Sequence, residues 1–231
     1  MYRLSNLDRI DPLTYIINYY SHVKKDKDKV QYILSLSPGD IVIRKDNDSP
    51  SESPFKHPDV ILYHKYLLDF WQPKISDYSI LMSCTKIKPY SKSVTHRMMI
   101  NYINNLKKHN CLVELYSISE PMIIVPYEYE ELYPLANYDF PPKLMEEWER
   151  ELMARLLSKV LTKVIYHTRK EIIAVLPKHH RNILEKSLTL LDKMIKSKII
   201  VIDYGRLSFK TLRHVYDVLL KKCISCRSKA I

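Results

Sequence analysis

The highest density of side chains that could do chemistry lies in residues 83–96, which read SCTKIKPYSKSVTH. This stretch combines one thiol, three lysines and one histidine. It lies between an apolar run at residues 79–83, typical of a buried strand, and a helical pattern over residues 94–108. Open α/β sheets bind ligands at the carboxyl ends of their strands, so we expect a site here.

Cys84 is the candidate nucleophile of this stretch. It directly follows the predicted strand and has Lys88 and His96 nearby in sequence. Positive charge and a helix start favour the thiolate, which is the nucleophilic form. Ser91 or Ser93 is expected to cap the helix and to leave its first amides free to bind an electron-rich group. The alternative is that Cys84 only packs at the strand end, as many free cysteines do.

The composition of the 231-residue chain excludes several classes of function. Its two glycines, Gly39 and Gly205, cannot build the phosphate-binding loops of Walker or dinucleotide-binding proteins. No apolar run reaches the ~18 residues that span a membrane, and the start of the chain lacks a signal-peptide core. We therefore expect a soluble cytoplasmic protein without membrane contact.

The cysteines and a histidine pair are candidate metal or phosphate ligands. Four cysteines are too few for a disulfide framework in a chain of this size, so we expect free thiols. Cys223 and Cys226 have the spacing of half a zinc site, but no matching pair accompanies them, and no metal is predicted. His179 and His180 begin a helix near basic residues and would suit phosphate contact.

Positive charge is concentrated in the last third of the chain. Residues 1–142 hold 17 basic and 17 acidic residues, whereas residues 143–231 hold 20 basic and 9 acidic ones. The whole net charge of +11 therefore lies in that third, as expected of a surface that faces nucleic acid. A solvated, lysine-rich helical surface is the alternative.

The elements that must position these residues alternate between strand and helix. Strands are predicted at residues 41–44, 79–83, 112–118, 122–125, 172–176 and 199–203, and helices at residues 11–36, 60–71, 94–108, 144–161, 179–195 and 208–222. This alternation predicts an α/β fold with a mostly parallel sheet and helices on both faces. Residues 1–45 are expected to form a small N-terminal extension, residues 46–58 a linker, and residues 59–231 the core.

Three segments resemble conserved motifs of the archaeosine synthase core domain. The first is SC at residues 83–84 with KPYS at residues 88–91, followed by a serine and a histidine. The second, HPDV at residues 57–60 running into YH at 63–64, resembles the first helix of that family. The third, VPYE at 125–128 with YPLANYD at 133–139, resembles its second conserved loop. The resemblance covers about residues 57–200.

The resemblance implies a fold similar to the uracil-DNA glycosylase-like α/β fold and an enzyme that acts on tRNA. The family joins free lysine to the nitrile of 7-cyano-7-deazaguanine in the tRNA D-loop, and a radical-SAM partner then cleaves the adduct to the archaeosine amidine. The implied partners are therefore tRNA carrying that base, free lysine and a radical-SAM protein, without a cofactor. Full-length members also carry transglycosylase-like and PUA domains, for which this stand-alone short form has no room.

Addition of an amine to a nitrile needs a neutral amine, a positioned nitrile carbon and a proton donor. We expect His96 to transfer the proton, and Ser91 or Ser93 with the helix-start amides to polarise the nitrile. Cys84 could attack first to give a thioimidate, which would divide one difficult step into two. Direct attack by lysine, without a covalent intermediate, stays open.

The residues expected to bind substrate come from the two loops of the resemblance: Lys88, Pro89, Tyr90, Glu128, Tyr138 and Asp139. The lysine and tyrosine side chains would position a base or phosphate, and the carboxylates would hold an amino group of free lysine. One departure is Asn137, where the family usually shows histidine. A second proton-transfer group is then missing or replaced. This departure favours the alternative function, which is a non-catalytic tRNA-binding subunit that presents the base to a radical-SAM or transglycosylase partner.

Overall fold

The structure, a computed structural model, describes residues 10–45, 52–205 and 208–225. Its strands are β1 (Ile43–Arg44), β2 (Ser76–Ser83), β3 (Val113–Ser119), β4 (Ile123–Pro126), β5 (Tyr138–Asp139), β6 (Thr168–Leu176) and β7 (Ile199–Asp203). Its α-helices are α1 (Pro12–Asn18), α2 (Lys27–Ser35), α3 (Pro58–Lys65), α4 (Val94–Lys108), α5 (Glu147–His167), α6 (Lys178–Thr189), α7 (Lys193–Lys196) and α8 (Ser208–Ser225). Short 3-10 turns occupy Pro54–Lys56, Tyr90–Lys92, Tyr127–Tyr129 and Pro142–Leu144, and π-helical turns occupy Tyr19–Lys24 and Tyr66–Phe70.

A five-stranded sheet in the order β4-β3-β2-β6-β7 forms the centre of the fold. β3, β2, β6 and β7 are parallel, and only β4, at one edge, is antiparallel. The register places Ser83 beside Ile118 and Met82 beside Val175. The carboxyl ends of β3, β2 and β6 therefore lie side by side, and the predicted mostly parallel sheet is confirmed.

Helices cover both faces of this sheet because its central strands are apolar on both sides. On one face, Ile80 and Met82 of β2 pack with α4 and α8. On the other face, Leu81 packs in a cluster that includes residues of α3, α5 and α6. The predicted arrangement of helices on both faces is confirmed. Within the described residues, no helix is long and apolar enough to cross a membrane.

Two predicted helices are interrupted. The helix predicted over residues 11–36 divides into α1, a π-helical turn and α2, and Lys25 between them adopts a left-handed conformation with φ of 55°. The cause is local, since Asp26 accepts a hydrogen bond from the Lys29 amide and so caps a new helix. The helix predicted over residues 179–195 likewise divides into α6 and α7.

The N-terminal segment packs against the rest of the chain. Ile16, Ile33 and Ile43 are buried in the same apolar cluster as β4 and α5. β1 pairs in parallel with β5 and forms a separate two-stranded sheet. The described part of the segment contains two helices in place of the single one expected, together with the expected short strand. The domain boundaries at residues 45 and 58 stay a prediction.

Two of the four cysteines are not free thiols. Cys111 and Cys223 form a disulfide with their Cα atoms 5.9 Å apart, across a sequence separation of 112 residues. The prediction of free thiols is wrong for this pair, because α8 folds back over α4 and brings the two positions together. Cys84 is the free cysteine of the described residues, and Cys226 lies outside them.

Candidate active site

Three side chains from three neighbouring strand ends meet at the carboxyl edge of the sheet. Cys84 follows β2, Glu120 follows β3, and His180 lies in the first turn of α6, which follows β6. The Cys84 Sγ lies 3.6 Å from Oε2 of Glu120 and 3.7 Å from Nε2 of His180. The same Glu120 oxygen lies 3.2 Å from the His180 Nε2. The parallel order β3-β2-β6 is the reason that these three residues converge.

A second histidine holds the other oxygen of Glu120. Nε2 of His179 lies 2.6 Å from the Glu120 Oε1, and Nδ1 of His179 lies 3.3 Å from a guanidinium nitrogen of Arg150. Because a guanidinium only donates, the His179 Nδ1 must accept, and its proton is on Nε2. His179 thus donates to Glu120. Arg150 is itself fixed by donation to the Met145 carbonyl at 2.9 Å.

Glu120 and His180 form a buried ion pair. Burial alone would raise the pKa of Glu120, but the charge of His180 and hydrogen bonds from both histidines hold it far below its ordinary value. Burial opposes the charge on His180, yet Glu120 and Cys84 raise its pKa to about 10. The Cys84 sulfur therefore faces a cationic imidazole at neutral pH on one side and, on the other, the Glu120 carboxylate oxygen to which it donates. Nδ1 of His180 finds no hydrogen-bond partner among the described residues.

A cavity of about 200 Å³ opens beside this cluster. Cys84 and Glu120 form part of its wall together with Thr85, Lys86, Lys88, Tyr138, Asp139 and residues 140–142. Of the residues predicted from the sequence, Cys84, Lys88, Tyr138 and Asp139 are brought together here. A cavity of this size accommodates a small organic group beside the thiol.

Lys88 and two tyrosines form the polar side of the cavity. The Lys88 Nζ lies 4.1 Å from the centre of the Tyr138 ring, and burial lowers the pKa of this lysine. The Tyr138 hydroxyl hydrogen-bonds both the Tyr90 hydroxyl and Ser119 Oγ. Burial raises the pKa of both tyrosines well above its ordinary value, so both hydroxyls stay neutral. Tyr90 thus holds the wall residue Tyr138 through a hydrogen bond and does not itself line the cavity. Pro89 connects Tyr90 to Lys88.

The other predicted catalytic residues, Ser91, Ser93 and His96, lie in the 3-10 turn before α4 and at the start of that helix, and they are not part of the cavity wall. The Ser93 Oγ accepts from the His96 amide at 3.4 Å, and the Ser91 amide donates to the Glu130 carboxylate at 3.1 Å. The amides of Ser91 and His96 are therefore engaged within the protein. His96 is 1% exposed, with Nε2 3.1 Å from the Ser83 carbonyl, and burial lowers its pKa to about 4. It is a neutral donor to that carbonyl and does not line the cavity.

Glu128 lies away from this cavity. The antiparallel β4 runs back from the carboxyl edge, so the turn that follows it reaches the amino end of the sheet. There Glu128 pairs with Lys74, which precedes β2, beside a different cavity of about 380 Å³. The structure does not bring this predicted lysine-binding carboxylate to Cys84.

Asn137 contacts the N-terminal segment. Its side-chain amide donates to the carbonyls of Ser37 and Asp40 at 2.8 and 2.9 Å. It is a buried link between the segment and β5, and the described cavity wall does not include it.

Sequence reasoning missed Glu120 and gave His180 a different role. Both follow predicted strands, at residues 112–118 and 172–176, as Cys84 follows the strand at 79–83. The signal was therefore present: polar residues directly after three strands of one parallel sheet meet at one edge. The sequence pattern does not contain the order of the strands, and that order decides which of these polar residues become neighbours.

Fold and site together define an α/β protein with a thiol, an imidazole and a carboxylate gathered at the carboxyl edge of a mostly parallel sheet. Comparison with protein families gives a more specific assignment, because residues 60–214 match the family described as Domain of unknown function (DUF5591). The chain belongs to this family.

Curated relatives are archaeosine synthases. Archaeosine synthase subunit alpha of Thermoplasma acidophilum is 28% identical over 159 residues, which cover 68% of this chain and 28% of the relative. Archaeosine synthase of Methanocaldococcus jannaschii is 34% identical over 178 residues, which cover 72% of this chain and 27% of the relative. The chain thus spans little more than a quarter of either relative. The resemblance inferred from the three motifs is confirmed.

Among solved structures, the chain is similar to the crystal structure of AF0587, a protein of unknown function. The TM-score is 0.45 and the identity 21%, over 67% of this chain and 49% of the other. The expected similarity to the uracil-DNA glycosylase-like fold stays a prediction.

Proposed function

We propose that this chain acts in archaeosine biosynthesis as the domain that adds free lysine to the nitrile of 7-cyano-7-deazaguanine in tRNA. The names of the curated relatives support the pathway, and the three motifs support the lysine-adding reaction. The observation that carries the proposal is the contact of Cys84 with the His180–Glu120 pair at a small cavity. A thiol beside a cationic acid is suited to attack on a nitrile.

In the first step, the Cys84 thiolate attacks the nitrile carbon. A carbon–sulfur bond forms while the carbon–nitrogen triple bond becomes a double bond. The nitrogen takes a proton from Nε2 of His180, and the product is a thioimidate. His180 replaces His96 as the proposed proton donor, because the His180 Nε2 lies 3.7 Å from the Cys84 sulfur, whereas the His96 Nε2 is held by the Ser83 carbonyl.

In the second step, the neutral amine of lysine attacks the thioimidate carbon. A carbon–nitrogen bond forms, the carbon–sulfur bond breaks, and the thiolate leaves. The attacking amine gives its proton to the now neutral imidazole of His180, so both residues return to their starting states. The net result is addition of the amine to the nitrile to give an amidine, without loss of any atom.

The cavity wall supplies groups for binding both reactants. Asp139 is the carboxylate on the wall that we assign to an amino group of free lysine, in place of Glu128. Lys88 and the Tyr138 ring would contact the deazaguanine. To enter a cavity of about 200 Å³, the base must leave its stack in the tRNA. A fold similar to that of uracil-DNA glycosylases would suit this step, and we include that similarity in the proposal.

The direct test is mass spectrometry of nucleosides from tRNA carrying 7-cyano-7-deazaguanine, after incubation with the purified protein and lysine. We expect a mass increase of one whole lysine. Cys84→Ala and His180→Gln should each abolish the increase, whereas the exposed histidine variant His214→Gln should retain it. Retention of the adduct by Cys84→Ala would reject the covalent route and leave direct attack by lysine. No adduct from the wild-type protein, despite tRNA binding, would favour the non-catalytic presenting subunit.

A separate test addresses RNA binding by the basic last third. Lys143 and Lys178 are exposed and follow Pro142 and Pro177, which lie at or next to the site. If both contact phosphates, log affinity for tRNA should fall linearly with log salt concentration, and the double variant Lys143→Ala/Lys178→Ala should reduce that slope by about 2. Lys65→Ala, exposed on α3, is the control. A flat salt response would reject the basic surface as the tRNA contact.

A further inference from the structure

The cluster of Cys84, Glu120 and His180 has the donor geometry of a metal site, in addition to containing the proposed nucleophile. Its three donor atoms, one from each residue, all lie within 4.8 Å of one another. We propose that these residues form a Zn²⁺ site whose fourth coordination position opens to the cavity. The site is inferred from the cluster itself and does not depend on the proposed reaction.

The separations of the donor atoms match one face of a tetrahedron. With Zn–S near ~2.3 Å and Zn–N and Zn–O near ~2.1 Å, tetrahedral angles place the sulfur about 3.6 Å from the other two donors. The same bond lengths place nitrogen and oxygen about 3.4 Å apart. The observed separations are 3.6 and 3.7 Å from the Cys84 Sγ, and 3.2 Å between the Glu120 Oε2 and the His180 Nε2. Zinc therefore fits this cluster with shifts of a few tenths of an ångström.

The donor set selects zinc over the harder cations. A thiolate, an imidazole and one carboxylate oxygen are ligands typical of zinc, whereas Mg²⁺ and Ca²⁺ take oxygen ligands. The other oxygen of Glu120 is held by His179, which Arg150 orients in turn. Carboxylate ligands of metal sites are commonly held by such outer hydrogen bonds. This contact leaves Oε2 as the oxygen that faces the sulfur and the imidazole.

Three protein ligands leave one position for a small molecule. Sites that hold zinc only for structure are closed by four protein ligands, whereas an open position accepts water or a substrate atom. Here Cys84 and Glu120 both line the cavity, so the open position faces the space where a small ligand would bind. A nitrogen or oxygen donor of such a ligand is the chemistry that this position would take.

Zinc titration of the chelator-treated full chain tests the site, with Co²⁺ as a second probe that reports thiolate ligation by its absorption. We expect one Zn²⁺ per chain and a thiolate-to-cobalt band. Cys84→Ser and His180→Gln should each weaken binding at least ~100-fold, and His179→Gln about 10-fold, since it only holds a ligand. His214→Gln and Cys226→Ser are controls that should bind as the wild type does. Circular dichroism of each variant verifies that it is folded.

Several results would overturn the site: no binding by the wild-type chain, equal binding by folded Cys84→Ser, or loss of binding in Cys226→Ser. Lysine transfer by the chelator-treated protein is measured in parallel. If the protein transfers lysine but does not bind zinc, the metal site is rejected and the proposed function stands. If it binds zinc but does not transfer lysine, the metal site stands and the proposed function is rejected. Where both hold, added Zn²⁺ should inhibit transfer, because the metal occupies the sulfur that attacks the nitrile.

Discussion

Three buried histidines show that surroundings, rather than residue type, decide the charge of a side chain. His64 and His96 each have a backbone carbonyl as a partner, and burial lowers the pKa of each to about 4. His180 is buried to a similar degree, but Glu120 beside it raises its pKa to about 10. The carboxylate of Glu120, with a smaller contribution from the Cys84 sulfur, therefore reverses the effect of burial, and only one of these three histidines is a cation at neutral pH.

His64 should make the fold less stable in mild acid. Its pKa is about 4 in the folded chain against an ordinary value of 6.5. Between these values the unfolded chain binds more protons, so the stability from neutral His64 is lost as the pH falls. We expect this residue to lower the free energy of unfolding by up to about 3 kcal/mol between pH 7 and pH 4. Urea denaturation at stepped pH measures the decrease.

The contribution of His64 is isolated by comparison with His64→Gln. This variant does not titrate at position 64, so its free energy of unfolding should depend less steeply on pH over the same range. Parallel pH profiles for the two proteins would contradict the assignment.

Asp59 joins the N-terminal segment to α3. It is fully buried, accepts from the Tyr20 and Tyr133 hydroxyls at 2.6 and 2.5 Å, and pairs with Lys29 at 3.0 Å. Asp59→Ala should lower the free energy of unfolding by about 3 kcal/mol, because three donors lose their acceptor. Asp28→Ala, exposed on α2, should change it by less than about 0.5 kcal/mol in the same urea titration.

At the scale of elements, strand direction decides which residues reach the site. β2, β3 and β6 are parallel, so the residues that follow them share one edge, whereas the antiparallel β4 carries Glu128 to the opposite end. Apolar runs in the sequence predict that these strands exist, and the thiol after the first of them was found in this way. The direction of β4 and the order of the strands depend on long-range packing, which is why Glu128 was misplaced.

Ser93 acts on α4 as a capping residue. Its Oγ accepts the amide of His96 at the first turn, so Ser93→Ala removes the partner of an otherwise unsatisfied donor. We expect a loss of about 1 kcal/mol in the free energy of unfolding, measured by urea denaturation. Thr95→Ala, two residues further along the same turn, leaves the cap intact. An equal loss in both variants would show that capping is not the cause.

At the scale of the molecule, one disulfide joins Cys111, which follows α4, to Cys223 near the carboxyl end of α8. Free thiols were predicted because four cysteines are too few for a disulfide framework, and two cysteines separated by 112 residues carry no local signal of pairing. The helix faces were predictable from their apolar periodicity, but their contact was not. The sequence thus predicted the layers of the fold and four of the ten residues of the cavity wall, while long-range pairings required the structure.

Reduction should destabilise the chain by about 2–4 kcal/mol, because the bond at Cys111 and Cys223 closes a long loop and restricts the unfolded chain. Urea denaturation with and without dithiothreitol measures the difference. The double variant Cys111→Ser/Cys223→Ser should show no response to the reductant. A thiol count on the unfolded protein that does not rise by two upon reduction would contradict the disulfide itself.

The pairing of β1 with β5 has a practical consequence for anyone who wishes to shorten or transplant this domain. The family match begins at residue 60, but β1 lies before it and orders the strand that carries Tyr138 and Asp139. Ile16 and Ile33 are also buried in the main apolar cluster. A fragment that begins at residue 60 would lose β1, which pairs with the strand that carries two residues of the cavity wall. The smallest unit that can be transplanted must therefore begin before α1.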